Sequence, residues 1–393
     1  MKIINLFFNN YKKILPIITI FIFFGIYLRT LSFGFINDDF NLIRPTISQA
    51  FNRILDGEHF RPLWYLSFPI VNYFFGPNAL VHHLFSLVLH LINLYLAYSI
   101  FKKILNQEKA LLIIFFWTFL PQLSFQIAWI SGKNDLLMTF FLLLSLKLAI
   151  NNKMEISLIA YLFAFLSKVT CLFYPLIYFT KFGFGYSKRT KIISLLLFLF
   201  IFLISYLVLR NGTLQPHISE LSFSLRILNH IKNFITGWIL LFFPIPFFVN
   251  FFIGAIYIIF ICTFFFVILR SFKIHKFSLL LTIICFVLSI TLSINYSLRI
   301  TYTLSLFVVA TLISFIDVKR LNSLHYNKFL KIIIFSFFLI YGVTTSTLVT
   351  NKFKSNQFDI WGEKYIMNDY YLNDFYGEFR IFQIKFLKDN HIR

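Results

Sequence analysis

Two adjacent carboxylates stand in the segment Phe33-Gly34-Phe35-Ile36-Asn37-Asp38-Asp39-Phe40-Asn41. A carboxylate just beyond an apolar run can take a proton from a hydroxyl nucleophile, or hold a divalent metal. Neighbouring acids repel, so one of the two is expected to titrate above a lone aspartate. By itself such a pair reads first as a helix N-cap and a solvated turn, since Asp favours both, and it is the surrounding residues that turn the reading toward chemistry. Cations form a second class. Arg61 stands in His59-Phe60-Arg61-Pro62-Leu63-Trp64, Lys133 and Asp135 in Trp129-Ile130-Ser131-Gly132-Lys133-Asn134-Asp135, and Lys168 in Ser167-Lys168-Val169-Thr170. Arg299 stands in Asn295-Tyr296-Ser297-Leu298-Arg299-Ile300-Thr301-Tyr302. Fixed cations suit a phosphate; alternatively each snorkels separately to lipid headgroups. A third group opens with His82-His83. The spacing of His83, Ser86, His90 and Asn93 puts these four on one face of a helix. A polar stripe on an apolar helix faces the protein interior, where it binds a ligand or ties helices together. Two histidines seven apart do not make a metal signature.

The elements that must position these residues are expected to be helices in lipid. The 393-residue chain is 59% hydrophobic and 13% charged, against about 25% charged in a soluble domain. A soluble fold of this size could not hide so much apolar surface. Cys171, Cys262 and Cys285 all lie in apolar runs and read as small buried hydrophobes, not as a disulfide framework. Apolar runs of spanning length predict about eleven crossings, near 14–32, 81–101, 110–128, 135–150, 156–167, 169–180, 191–209, 251–269, 277–295, 300–316 and 329–349. The proline-bearing stretch 232–248 reads as re-entrant or interfacial, and 43–56 as an amphipathic helix on the membrane surface. The expectation is an all-α polytopic membrane protein: a transmembrane domain over 1–349, outer loops at about 33–80 and 210–250, and a short outer tail over 350–393.

Charge placement orients that layout. With the N-terminus in the cytoplasm, the inner segments hold only Glu108, Glu155 and Asp317 of the 15 acids, while lysine and arginine crowd there. This positive-inside asymmetry accounts for most of the net charge of +21, so nucleic acid is not needed as a partner. Asp38, Asp39, Arg61, Lys133, Lys168 and Arg299 then share the outer face, as an anionic lipid headgroup would require.

In this order the residues resemble the N-terminal half of GT-C superfamily glycosyltransferases, above all protein O-mannosyltransferases and the related tetratricopeptide-repeat-bearing transmembrane mannosyltransferases. The likeness rests on the loop Asp38-Asp39, on Phe60-Arg61-Pro62-Leu63, on Phe75-Gly76, and on His83 with His90 and Asn93. Ala128 to Asp135 resembles their apolar-Trp-Ile-x-Gly-Arg-x-Asp segment with Lys133 for Arg. Leu166-Ser167-Lys168 resembles Leu-Ser-Lys-Glu, and Arg299 with Tyr302 a late Arg-Tyr motif. It covers roughly residues 30–305. Val169 stands where Glu is usual and Ser86 where Asn is usual, and the repeat domain is missing although the tail near Trp361 resembles its junction. These departures leave the acceptor open and permit a sugar other than mannose.

The resemblance implies a GT-C-like bundle whose active site faces outward from a bacterial inner or plasma membrane. It implies transfer of a sugar from a polyprenyl-phosphate carrier to a hydroxyl of a protein, lipid or glycan acceptor. Asp38 would be the general base, supported by Asp39, and the anomeric carbon would invert through an oxocarbenium-like state. Arg61, Lys133, Lys168 and Arg299 would stabilise the leaving phosphate; His83, His90, Asp135 and Tyr302 would complete the substrate site. A metal at Asp38 and Asp39 is not required on this pattern. Two other classes are open: an O-antigen polymerase or ligase, whose key residues would fall in late loops, and a transporter or flippase of an anionic lipid, which would show internal symmetry.

Overall fold

The computed structural model describes residues 2–35, 39, 42, 46–50, 61–118, 120, 122–172, 174, 276–289 and 301–316, with isolated positions between 192 and 235. The described residues are mostly helical and contain no strand. Asp38, Arg299, Cys262, the spans at 251–269 and 329–349, the tail 350–393, and most of 169–180 and of the 191–250 region lie outside them.

Helix α1 runs from Lys2 to Tyr27 and passes into a 3₁₀ turn over Leu28–Ser32. The hydroxyls of Thr30 and Ser32 donate to the carbonyls of Tyr27 (2.7 Å) and Arg29 (2.8 Å). They occupy acceptors that a helix end leaves free, and the chain leaves in extended form at Phe33. Within the expected amphipathic stretch, the structure describes Thr46–Ala50. The Thr46 N–H donates to Gln49 Oε1 (3.0 Å) and the Gln49 N–H to Thr46 Oγ1 (3.3 Å), a reciprocal cap that starts a helix.

A helix that the apolar pattern does not announce follows inside the first loop. α2 spans Pro62–Phe75, with Pro62 at its start, where a missing N–H costs nothing, and Gly76 at its end with φ 68°, open to glycine without strain. It buries Trp64, Tyr65, Phe68 and Val71 and leaves Tyr73, Phe74 and Phe75 exposed. α3 spans Ala79–Ile104, its first turn capped by the Asn78 side chain, which accepts from the Leu80 N–H at 3.0 Å. Its lysines 102 and 103 lie in the last turn, where the helix dipole favours positive charge.

The expected span 110–128 is two helices, α4 (Gln107–Thr118) and α5 (Gln122–Ala128). Pro121 is the cause: the residue before a proline is driven from helical geometry, and Leu120 is indeed non-helical. A 3₁₀ turn at Ile130–Gly132 leads into α6 (Lys133–Ile150), which is paired with α7 (Met154–Ser167). The hairpin turns through Asn152 at φ 61°, a left-handed position that asparagine tolerates. Ser145 and Ser157 hydrogen-bond each other's carbonyls at 2.8 and 2.7 Å, so these helices pack through small residues. α8 (Lys276–Ser289) and α9 (Thr301–Ser314) pack together, with α9 also against α4.

These pairings define two ends. An antiparallel hairpin puts the start of α6 and the finish of α7 at the same end. At the other end Lys103 Nζ donates to Asn151 Oδ1 (2.6 Å), tying the last turn of α3 to the hairpin turn, and Lys109 Nζ donates to the Ser314 carbonyl (2.8 Å). Leu15–Ser32 and α3 are each long and apolar enough to cross a membrane. α6 has 18 residues but carries Lys133, Asp135 and Lys147, while the apolar α7 and α9 have 14 residues each, about 21 Å.

Candidate functional site

The site is built on the turn at Ile130–Gly132. Phe35, Leu42, Trp64, Tyr65, Phe68 and Ile130 form a small apolar cluster separate from the main core. Phe35 and Leu42 flank Asp39 in sequence, and their burial in this cluster goes with the placing of Asp39 against the turn. Asp39 is fully buried, and its Oδ1 accepts the Ser131 N–H at 2.8 Å. The Ser131 carbonyl accepts the Trp64 indole N–H at 3.0 Å. α2 and the first loop thus hold the turn from both sides. Asp39 is an anchor for backbone, and it is also the opposing charge that acts on Lys133.

Lys133, the first residue of α6, is fully enclosed. Its Nζ lies 2.6 Å from His82 Nδ1 and over the rings of Phe68 (4.2 Å) and Phe85 (5.5 Å). His82 Nε2 lies 2.8 Å from Asn72 Oδ1. The Asn72 amide oxygen only accepts, so His82 Nε2 carries the hydrogen that it donates to Asn72, and Nδ1 is left to accept from the Lys133 amine. The chain Lys133–His82–Asn72 therefore has one direction and joins α6, α3 and α2.

Lys168 caps α7 in extended conformation, and its Nζ lies 2.5 Å from Asp135 Oδ2 with both side chains buried. Asp135 occupies the first turn of α6, where the helix dipole favours an acid. Arg61 also acts on Asp135 electrostatically. Arg61 precedes α2 with its guanidinium 5.4 Å from the centre of the Trp64 ring. Burial pulls its proton affinity below the ordinary arginine range, while the Asp135 carboxylate pulls the other way.

Further along α3, the buried stripe meets α9. Tyr302 hydroxyl is hydrogen-bonded to His90 Nδ1 and accepts from Asn93 Nδ2 at 3.4 Å; Asn93 Nδ2 also donates to the Leu136 carbonyl at 3.1 Å. Phe23, Tyr27, Trp117 and Tyr302 surround the His90 ring. His83 is buried with Phe33 edge-on at 6.1 Å.

Of the residues singled out in the sequence, the structure brings Asp39, Arg61, Lys133, Asp135 and Lys168 into one neighbourhood, and sets His90 and Tyr302 beside each other. His83 shares the helix face, but it is His82 that touches Lys133. Asp38 and Arg299 lie outside the described residues. His82 and Trp64 are the contacts that sequence reasoning passed over. Trp64 had a detectable signal, a ring two residues after a proline helix start, but no one-dimensional feature separates His82 from its neighbour. Among the described residues, no three His, Cys, Asp or Glu side chains are grouped to hold a metal.

The arrangement places basic groups from three separate elements around two carboxylates, with aromatic faces enclosing them. Enclosed cations of this kind can stabilise an anion that water would otherwise solvate. In comparisons with known protein families, characterised proteins and solved structures, nothing matches the chain.

Proposed function

We propose that the protein is a polytopic membrane glycosyltransferase of GT-C type with about eleven crossings. It would move a sugar from a polyprenyl-phosphate donor to an acceptor hydroxyl on the extracytoplasmic face, with its N-terminus in the cytoplasm. The observation that carries this reading is the convergence of Arg61, Lys133 and Lys168 beside Asp39 and Asp135. Of the three cations drawn from the start of α2, the start of α6 and the end of α7, Lys133 and Lys168 are enclosed and Arg61 is half-buried, its guanidinium over the Trp64 ring. A departing lipid phosphate needs such charge stabilisation and needs no proton donor.

The two acids are assigned different roles. Asp39 is committed to the Ser131 N–H, which supports a supporting role. Asp38, which lies outside the described residues, is assigned as base toward the acceptor hydroxyl on the pattern of the resemblance. Attack opposite the phosphate inverts the anomeric centre. The donor is a polyprenyl-phosphate sugar, the acceptor a protein, lipid or glycan, and Arg299 and Tyr302 would complete the donor site.

The test incubates purified full-length protein with a panel of polyprenyl-phosphate sugars and candidate acceptors, comparing wild type with Asp38→Asn and Asp39→Asn. Asp38→Asn is expected to abolish turnover. Asp39→Asn keeps an oxygen for the Ser131 N–H and is expected to retain a measurable fraction. Turnover untouched by both substitutions would remove the base assignment. Cysteine-accessibility scanning over residues 35–60 tests the outward face.

A further inference from the structure

Between α3, α6 and α9, the structure leaves polar atoms with nothing to bond. Asn93 is oriented by its donor: Nδ2 donates to the Leu136 carbonyl, so Oδ1 must point elsewhere, and it has no hydrogen-bond partner. Asp135 gives Oδ2 to Lys168, and its Oδ1 likewise has none. His90 Nε2 is a third such atom, its Nδ1 being taken by the Tyr302 hydroxyl. All three side chains are fully enclosed or within 1% of it. They belong to one neighbourhood, because Asn93 bonds the carbonyl next after Asp135 in the chain, and Asn93 and His90 share the Tyr302 hydroxyl.

The chemistry of these atoms selects a ligand class. Carboxylate and amide oxygens only accept, so whatever meets them must donate. A phosphate cannot. A cationic donor is disfavoured by Lys168 on Asp135 and by Arg61, which acts on the same carboxylate. What remains is a neutral group with more than one O–H, and the neighbouring cation on Asp135 places that group next to an anion site. We infer that Asn93 Oδ1 and Asp135 Oδ1 are the acceptors of a hydroxyl-binding subsite that takes two hydroxyls of the glycosyl unit whose phosphate Lys168 and Arg61 hold. This rests on the function proposed above and extends it to residues that read the sugar. Asn93 then selects for a hydroxylated sugar, because a deoxygenated one leaves its oxygen unmatched.

The experiment measures binding to the full chain in lipid nanodiscs. Its probes are bare undecaprenyl phosphate and undecaprenyl phosphate carrying mannose, glucose or galactose. Wild type is expected to bind at least one glycosylated carrier tenfold or more tighter than the bare one. Asn93→Leu is expected to erase that gain while bare-carrier affinity stays within twofold. Where Asn93→Leu does not fold, Asn93→Ala removes the acceptor with a smaller side chain, and the same loss is expected. A gain that survives in both variants overturns the subsite and leaves the phosphate reading standing. Equal binding of bare and glycosylated carriers by wild type means that these acceptors do not read a sugar, and also overturns it. Failure of wild type to bind any of the four probes overturns the proposed function, and the subsite with it.

Discussion

At one end of the α3–α6–α7 assembly, Lys102, Lys103 and Lys153 are exposed and Lys147 is half-buried. Lys102 and Lys147 lie over the rings of Tyr98 and Tyr95 at 5.8 and 5.2 Å. At the other end, Lys133 and Lys168 are 0% and 5% exposed, each committed to a specific partner. The residue type is the same and the helices are the same, so the difference lies in what surrounds the amine. An exposed ammonium keeps its water and contributes little by pairing. An enclosed one has lost that water, and persists only where a carboxylate, an imidazole nitrogen or an aromatic face replaces it. The enclosed end is therefore where electrostatic free energy is stored, and where a ligand can draw on it.

The largest expected effect comes from breaking the enclosed pair. Asp135→Leu leaves Lys168 buried without its partner, and should lower stability by about 3–5 kcal/mol. Thermal unfolding in detergent measures it. Asp135→Leu combined with Lys168→Met should recover most of that loss, because no charge is left in the dry site. A single substitution costing under about 1 kcal/mol would show that water reaches the pair and that the two ends differ less than their exposure indicates.

A smaller effect is expected at the anchor. Trp64→Phe keeps the ring under Arg61 and removes the donor to the Ser131 carbonyl, leaving a buried acceptor unmatched at a cost of about 1–3 kcal/mol. Hydrogen exchange should rise selectively in peptides covering 129–134 and 36–42. Exchange that rises evenly along the chain would mean the indole hydrogen bond does not hold the turn. At the exposed end, Lys147→Ala should change stability by no more than about 0.5 kcal/mol, and Lys103→Ala only modestly more through the Asn151 contact. A loss there as large as that of Asp135→Leu would erase the contrast between the ends.

Much of the helical layout could be read from the pattern of apolar residues, but not all. α3 announces itself as an apolar run of spanning length, read at 81–101 and observed as Ala79–Ile104, and the inward stripe of Ser86, His90 and Asn93 follows from their spacing. α2 does not, because a short helix between Pro62 and Gly76 with both buried and exposed aromatics has no clean period and sits inside a stretch read as loop. The break between α4 and α5 could have been found, since Pro121 marks it. It was masked by the continuous apolar run on either side, which satisfies the length for a span regardless of backbone geometry.

The sequence by itself determined the chemical inventory: adjacent aspartates, single cations set in apolar surroundings, a polar stripe at helical spacing, and a composition suited to lipid. Residue types fix what a group can donate, accept or ionise, and periodicity fixes which face of one helix it occupies. Only the tertiary structure decided the partners. Asp135 and Lys168 are 33 residues apart, His90 and Tyr302 212 apart, and such pairings depend on how helices pack, to which local spacing is blind. Packing likewise assigned Lys133 to His82 and not to the adjacent His83. Neighbours on a helix differ by about 100° in direction, and the third dimension settles which of the two faces the amine.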